Sequence, residues 1–318
     1  MVACMHEQTT PTSDTVGLPT RALLVWMLAA LVSHTSWGAY PVLARYLQTV
    51  SGLPSMSLLV VSMTCSLVLM LAWRAVRRRP LPRPSRFLAV IALVVAARSI
   101  TNLLAARYTL AIYVQLITLM TPFVVAMLNR LAFDEPTPPA TGRAMVLATL
   151  GALLMLSGSI EQQGVIKPLT PSDWLGLGLA AFSTVALALY MLIVRRSVAY
   201  NLSGEQVFLA QIVTVLAIST PASLLLREEW GRWLQLTPTD WLVFGAFAGL
   251  VIFGANVLQI AALRRIGATT VSSMLPWRMV VVLVLAALLL GERLTSIWQL
   301  IGAVLVTSTL MWYLWKQR

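Results

Sequence analysis

The sequence predicts an all-α polytopic membrane protein with ten transmembrane helices, arranged as two inverted five-helix repeats. The first observation is composition. Of 318 residues, 58% are hydrophobic and 11% charged, with a mean hydropathy of +0.82; a soluble domain carries roughly 25% charged residues. The second is spacing. Apolar windows of about 20 residues, each able to cross ~30 Å of hydrocarbon, recur at 22–43, 53–73, 86–107, 109–131, 143–160, 173–194, 205–226, 239–262, 267–290 and 295–315. The third is internal likeness between Arg98–Glu135 and Asn256–Glu292. Asn102 precedes Pro122 by 20 residues, as Asn256 precedes Pro276, and each stretch closes on a glutamate. The closing intervals, 13 and 16 residues, differ, so no ungapped alignment fits both landmarks. Weakly similar halves in so apolar a chain point to a transporter built from repeats.

The net charge of +12 invites a nucleic-acid reading, and its placement answers that. With the N-terminus in the cytoplasm, the inner side holds Arg21, Arg74, Arg77, Arg78, Arg79, Arg83, Arg86, Arg130, Arg143, Arg195, Arg196, Arg264, Arg265, Lys316 and Arg318. The outer side holds only Arg45, Arg107, Lys167, Arg227, Arg232 and Arg293. That asymmetry is the positive-inside rule, and it predicts a multi-pass protein of the plasma (inner) membrane with both termini cytoplasmic. The Arg74–Arg86 run then reads as a topology anchor rather than a site for nucleic acid or anionic lipid. Cys4 and Cys65 support neither a disulfide framework nor a metal site, and no cofactor is expected. Residues 1–20 are polar and read as a disordered cytoplasmic tail, because the apolar span after them is too long for a cleaved signal.

The first repeat is expected over 21–160. Its first helix gathers Ser33, His34, Ser36, Trp37, Gly38, Tyr40 and Pro41, a cluster costly in lipid unless it faces other helices or water. His34 is a candidate proton carrier, its reference pKa lying near 6.5; the plainer alternative is a hydrogen bond between helices. Trp37 and Tyr40 either stack on a solute or pack. The third helix carries Arg98 near mid-span, with Asn102 one turn later on the same face. An arginine at mid-bilayer costs about 2.5–3.5 kcal/mol on insertion scales, so it needs a partner or a wet cavity. The eleven acidic residues all fall in loops, tails or helix ends. The fourth helix aligns Gln115, Thr118 and Pro122 on one face, and Pro122 should bend it. Gly151, Gly158 and the alanines of the fifth suit close helix contact.

Residues 161–172 form an external connection, and the second repeat is expected over 173–318. Five spans on each side of it make the repeats inverted. The Trp-rich stretch LLREEWGRWLQLTPTDW reads as an interfacial segment on the outer surface. Asn256 and Gln259 share a face of the eighth helix. In the ninth, Pro276 is a helix-bending position, Trp277 aligns with Ser273 and Thr270, and Arg278 falls on an apolar line with Met274 and Val271.

The stretches PFVVAMLNRLAFDE and LLLGERLTSIWQLIGAVLV resemble the drug/metabolite transporter superfamily, in its EamA group. The resemblance covers nearly the whole chain after residue 20. Relatives have a proline thirteen residues before the glutamate; Pro122 obeys this, whereas the second copy has Met279 there and Pro276 one turn earlier. In relatives the third, fourth, eighth and ninth helices line a central cavity. The resemblance therefore implies Arg98, Asn102, Gln115, Asn256, Gln259 and Trp277 as cavity residues, with Arg278 a further candidate.

The expected function is a secondary transporter working by alternating access. Mid-span arginines without a buried acid favour an anionic or zwitterionic metabolite, such as an amino acid, whose carboxylate or phosphate a guanidinium grips bidentately. They disfavour a cation/proton antiporter. A membrane enzyme would need a nucleophile with its base, or a metal site, at depth, and none is visible. A non-transporting scaffold or subunit and a lipid-headgroup flippase are the alternatives. The expected partners are the small-molecule solute and the lipid bilayer, with a homodimer left open.

Overall fold

The computed structural model describes residues 20–78, 85–133, 140–157, 160–162, 165–197, 202–272 and 274–316. The expected tail, most of the arginine- and proline-rich connection after Arg78, and Glu135 lie outside the described residues. In the first half the helices are α1 Thr20–Thr49, α2 Ser55–Val76, α3 Arg86–Tyr108, α4 Ala111–Thr118, α5 Thr121–Phe133 and α6 Thr141–Leu156. The second half has α7 Pro171–Ser197, α8 Gly204–Leu225, α9 Pro238–Gly245, a π-helical segment Ala246–Ala255, α10 Asn256–Ser272, α11 Trp277–Leu289 and α12 Ile297–Lys316.

Eight spans are long and apolar enough to cross a membrane, with α4–α5 counted as one. The shorter apolar helices α6 and α11 supply the remaining two crossings. The protein is an all-α polytopic membrane protein. Large apolar residues such as Leu153, Phe182, Leu250, Leu288 and Val304 are exposed, the expected arrangement where the surrounding solvent is hydrocarbon. Local signals start several helices. Ser85 accepts from the Leu88 N–H at the head of α3, and reciprocal capping boxes start α8 (Ser203 with Gln206) and α9 (Thr237 with Asp240).

Helix contacts come in exchanged pairs, as two related halves require. The α3 helix lies along α7 as the α9–α10 rod lies along α1, and α11 meets α1 as α4 and α5 meet α7. Two pairs, α2 with α8 and α6 with α12, map onto themselves under the exchange. Five crossings per half, an odd number, make the second repeat run opposite to the first. The α6–α12 crossing is closed by glycine. A Cβ on Gly302 would sit 2.5 Å from the Gly151 carbonyl oxygen, and one on Gly151 would sit 2.9 Å from that of Gly302.

Proline and glycine set the irregular points. Pro122 has no N–H for the Thr118 carbonyl, and the Thr121 hydroxyl donates to that oxygen instead. The span consequently breaks between α4 and α5, as expected of a helix-bending position. Pro276 requires a correction. It does not bend a continuous helix but is the residue preceding α11; α10 continues through Arg264 and Arg265, expected in a loop, to Ser272. A proline suits a helix start, where no intrahelical N–H bond is lost. In the π segment, a Cβ on Gly254 would approach the Gly249 carbonyl to 3.1 Å.

The end of the bundle opposite the termini is tied by polar links that the sequence does not display. A three-stranded antiparallel sheet joins β1 (Ile160–Gln162), β2 (Val165–Lys167) and β3 (Glu292–Leu294), with Ile160 opposite Leu294 and Gln162 opposite Glu292. Beside it, Arg45 in the last turns of α1 lies 2.9 Å from the fully buried Glu292. Arg45 also donates to the Thr109 carbonyl at the end of α3. Glu228 accepts from the Met56 and Ser57 N–H groups at 2.9 and 2.7 Å, capping α2 from the other half. The Trp-rich loop folds into a 3-10 turn, Trp230–Gln235. Its Trp233 is buried edge-on against Phe244, so this residue packs inside the protein rather than against lipid.

Candidate functional site

Between the halves lies a narrow cavity of about 30 Å³. Trp37 and Tyr40 reach it from α1, Leu59 and Met63 from α2, Val95, Arg98, Ser99 and Asn102 from α3. The second half contributes Phe208, Gln211, Ile212 and Val215 from α8, with Ile252 and Asn256. Among the described residues, no carboxylate lines it. Five expected site residues therefore converge: Trp37, Tyr40, Arg98, Asn102 and Asn256.

Local chain geometry explains the convergence. Arg98 and Asn102, four residues apart, lie one above the other on α3. Asn256 opens α10 directly after the π segment, where one added residue per turn resets the face that follows; such segments occur often at functional sites. The Asn256 amide donates to the Ile252 carbonyl at 2.6 Å, and the Gln211 amide donates to the Tyr190 hydroxyl at 2.9 Å. Each amide nitrogen thus spends one of its two N–H donors within the protein.

Trp37 organises the positive charge. The Arg98 guanidinium carbon lies 5.2 Å from its ring centroid and that of Arg278 lies 5.8 Å away, both within cation–π range. Among the described residues, neither arginine has an acidic partner. Arg278 is buried and donates through Nε to His34 Nδ1 at 2.9 Å. With Nδ1 accepting, the His34 proton is on Nε2, which donates to the Val271 carbonyl at 2.8 Å. Both ring nitrogens of the proton-carrier candidate are thus committed in a neutral tautomer. Two buried polar atoms on the cavity residues have no partner among the described residues, the Trp37 indole N–H and the Asn102 amide oxygen.

Three expected cavity residues are placed elsewhere. Gln115 is buried in α4, which packs against α7 and α11, and does not line the cavity. Gln259 lies a turn beyond Asn256 and does not line the cavity. Trp277 is 41% exposed, with its indole N–H donating to Thr35. The face expected for it fails because Thr270 belongs to α10 and Trp277 to α11, with a turn between them. Arg278, expected on an apolar line, is buried against Trp37 and His34 instead. Gln211 and Ser99 are cavity residues that the sequence reading did not single out. The signal for Gln211 was an amide at mid-span in an otherwise apolar helix.

Two exchanged halves of five crossings, closing around an arginine-bearing polar cavity, make this a membrane transporter of small solutes. The chain belongs to the EamA-like transporter family, whose model matches residues 24–157 and 174–315. This is a family of transporters rather than enzymes and is consistent with the drug/metabolite transporter superfamily. A solved crystal structure of a protein aligns with 90% of this chain and 95% of its own at TM-score 0.61 and 16% identity, a likeness of fold. Comparison with curated proteins gives no match.

Proposed function

We propose that the protein carries a small anionic or zwitterionic metabolite by alternating access, the two halves rocking about the central cavity. The observation that carries this reading is Arg98, which lines the cavity without a carboxylate partner among the described residues. A guanidinium held in a membrane interior without an internal acid is completed by a ligand that supplies one. Trp37, Tyr40, Asn102 and Asn256 complete the binding surface in this reading, with Gln211 added. Arg278, paired with neutral His34, lies against Trp37 and positions it in this reading. The bias of basic residues supports cytoplasmic termini in a plasma (inner) membrane.

The test is a thermal-stability screen of the purified protein against anionic, zwitterionic, neutral and cationic metabolites. A ligand that binds only the folded state stabilises it by about 2.7 kcal/mol at 100 times its Kd. Hits among carboxylates or phosphates that disappear in Arg98→Gln, and that are taken up by proteoliposomes, support the reading. Hits confined to cations overturn it.

A further inference from the structure

We infer that the solute is a net anion without an ammonium group: a monocarboxylate with an apolar body and a neutral hydrogen-bond donor a few bonds from the carboxylate. The inference rests on Arg98 being the anion site and narrows the class that this site takes.

Charge comes first. Arg98 lines the cavity and Arg278 lies against the same Trp37 indole, and among the described residues no carboxylate lines it. His34, the titratable group against Arg278, accepts a hydrogen bond from it and is neutral. A zwitterion brings no net charge to this uncompensated pair, and its ammonium would enter the field of both cations. An anion is favoured in the same field.

Hydrogen bonding then gives the remaining groups. The Trp37 N–H is a buried donor without a partner, suited with Arg98 to a carboxylate. The Asn102 amide oxygen is a buried acceptor without one, a helical turn from Arg98. A hydroxyl or amide N–H satisfies it. Gln211 and Asn256 each spend one of their two amide N–H donors within the protein, and the neutral donor on the solute is assigned from the Asn102 oxygen alone. Leu59, Met63, Phe208 and Val215 form the apolar wall against which the body packs.

The experiment uses one skeleton with varied headgroups. Full-length protein is reconstituted, and thermal stabilisation and counterflow uptake are measured with 3-phenyllactate, N-acetylphenylalanine, 3-phenylpropionate, phenylalanine and phenethylamine. The expected order places phenyllactate and N-acetylphenylalanine first, phenylpropionate roughly tenfold weaker, and phenylalanine and phenethylamine without effect. Trp37→Phe is expected to weaken every carboxylate while retaining a ring for both arginines. Asn102→Leu is expected to erase the advantage of phenyllactate over phenylpropionate. Phenylalanine binding as tightly as phenyllactate, and lost in Arg98→Gln, overturns this inference but leaves the carrier reading intact. Binding of phenethylamine alone overturns both. A preference for phenyllactate that survives in Asn102→Leu overturns the assignment of the neutral donor.

Discussion

Arg98 and Arg278, from opposite halves of the chain, lie against the same indole, 5.2 and 5.8 Å from the centroid of Trp37. Like charges brought together in a low-dielectric interior repel strongly. The ring's π cloud attracts both, so Trp37 offsets part of the repulsion and couples the halves at the cavity. A desolvated cation–π contact is worth about 2 kcal/mol. Replacing Trp37 with Phe is expected to cost little stability, because a π face remains. Trp37→Ala is expected to lower stability by at least ~2 kcal/mol more than Trp37→Phe, read as Tm in detergent. Equal Tm values for the two variants would show that the ring merely fills space.

His34 illustrates a residue whose type was visible in the sequence and whose occupation was not. Its Nδ1 accepts from Arg278, and protonating that atom would break the bond and set a cation against a cation. His34→Leu leaves the Arg278 Nε–H without its acceptor, at a cost of about 1.5–3 kcal/mol for a bond to a charged group. His34→Gln keeps an acceptor and is expected to retain most of the stability. Uptake driven by a pH gradient, if present, is expected to persist in His34→Gln. Its abolition there would return the proton to this ring.

The fold was legible because its causes are local. Hydrocarbon crossing demands apolar spans, and these were present in sequence as ten windows. Pro122 and Gly151 act through their own geometry, so their roles could be read directly. Trp277 and Arg278 could not be placed, because their faces depend on where α10 ends and α11 begins, and Arg264, Arg265 and Gly267 read as a helix end that α10 runs through. Trp233 likewise reads as an interfacial aromatic until the partner halves are assembled. The sheet of β1, β2 and β3 unites segments far apart in the chain, and its three-residue strands are too short for alternation to reveal. Arg98 stands out in the sequence because a charge at mid-span needs a partner or a wet cavity, whereas Asn102 and Asn256 are indicated by the family resemblance, which also names Gln115 and Gln259, neither of which lines the cavity.

Glycine at the α6–α12 crossing gives a sharp test of the exchanged-pair packing. Each Cβ added at Gly151 or Gly302 meets backbone of the other helix, and backbone cannot rotate away. Overpacking of this kind costs about 1–3 kcal/mol. Gly302→Val is expected to lower Tm clearly, whereas the same change at Gly178, where an added Cβ meets nothing within 4 Å, should be nearly neutral. Equal effects at the two positions would contradict the close crossing.

Arg45 and Glu292 provide the last prediction. They join the first and second halves at the end of the bundle away from the termini, with Glu292 fully buried. Removing one partner of such a pair leaves an uncompensated charge and costs about 3–5 kcal/mol, whereas replacing both with apolar residues is often close to neutral. Glu292→Leu and Arg45→Met are each expected to destabilise strongly, and the double variant to recover most of the loss. On the alternating-access reading proposed above, the pair links halves that separate at this end, and the double variant should also lose the bias toward closure there. Cysteine introduced at Thr49 in the Cys4→Ser, Cys65→Ala background would report this as faster labelling by an impermeant thiol reagent. Recovery of stability with unchanged labelling would make the pair a structural tie only, and failure of the double variant to recover would show that Arg45 is held chiefly by the Thr109 carbonyl.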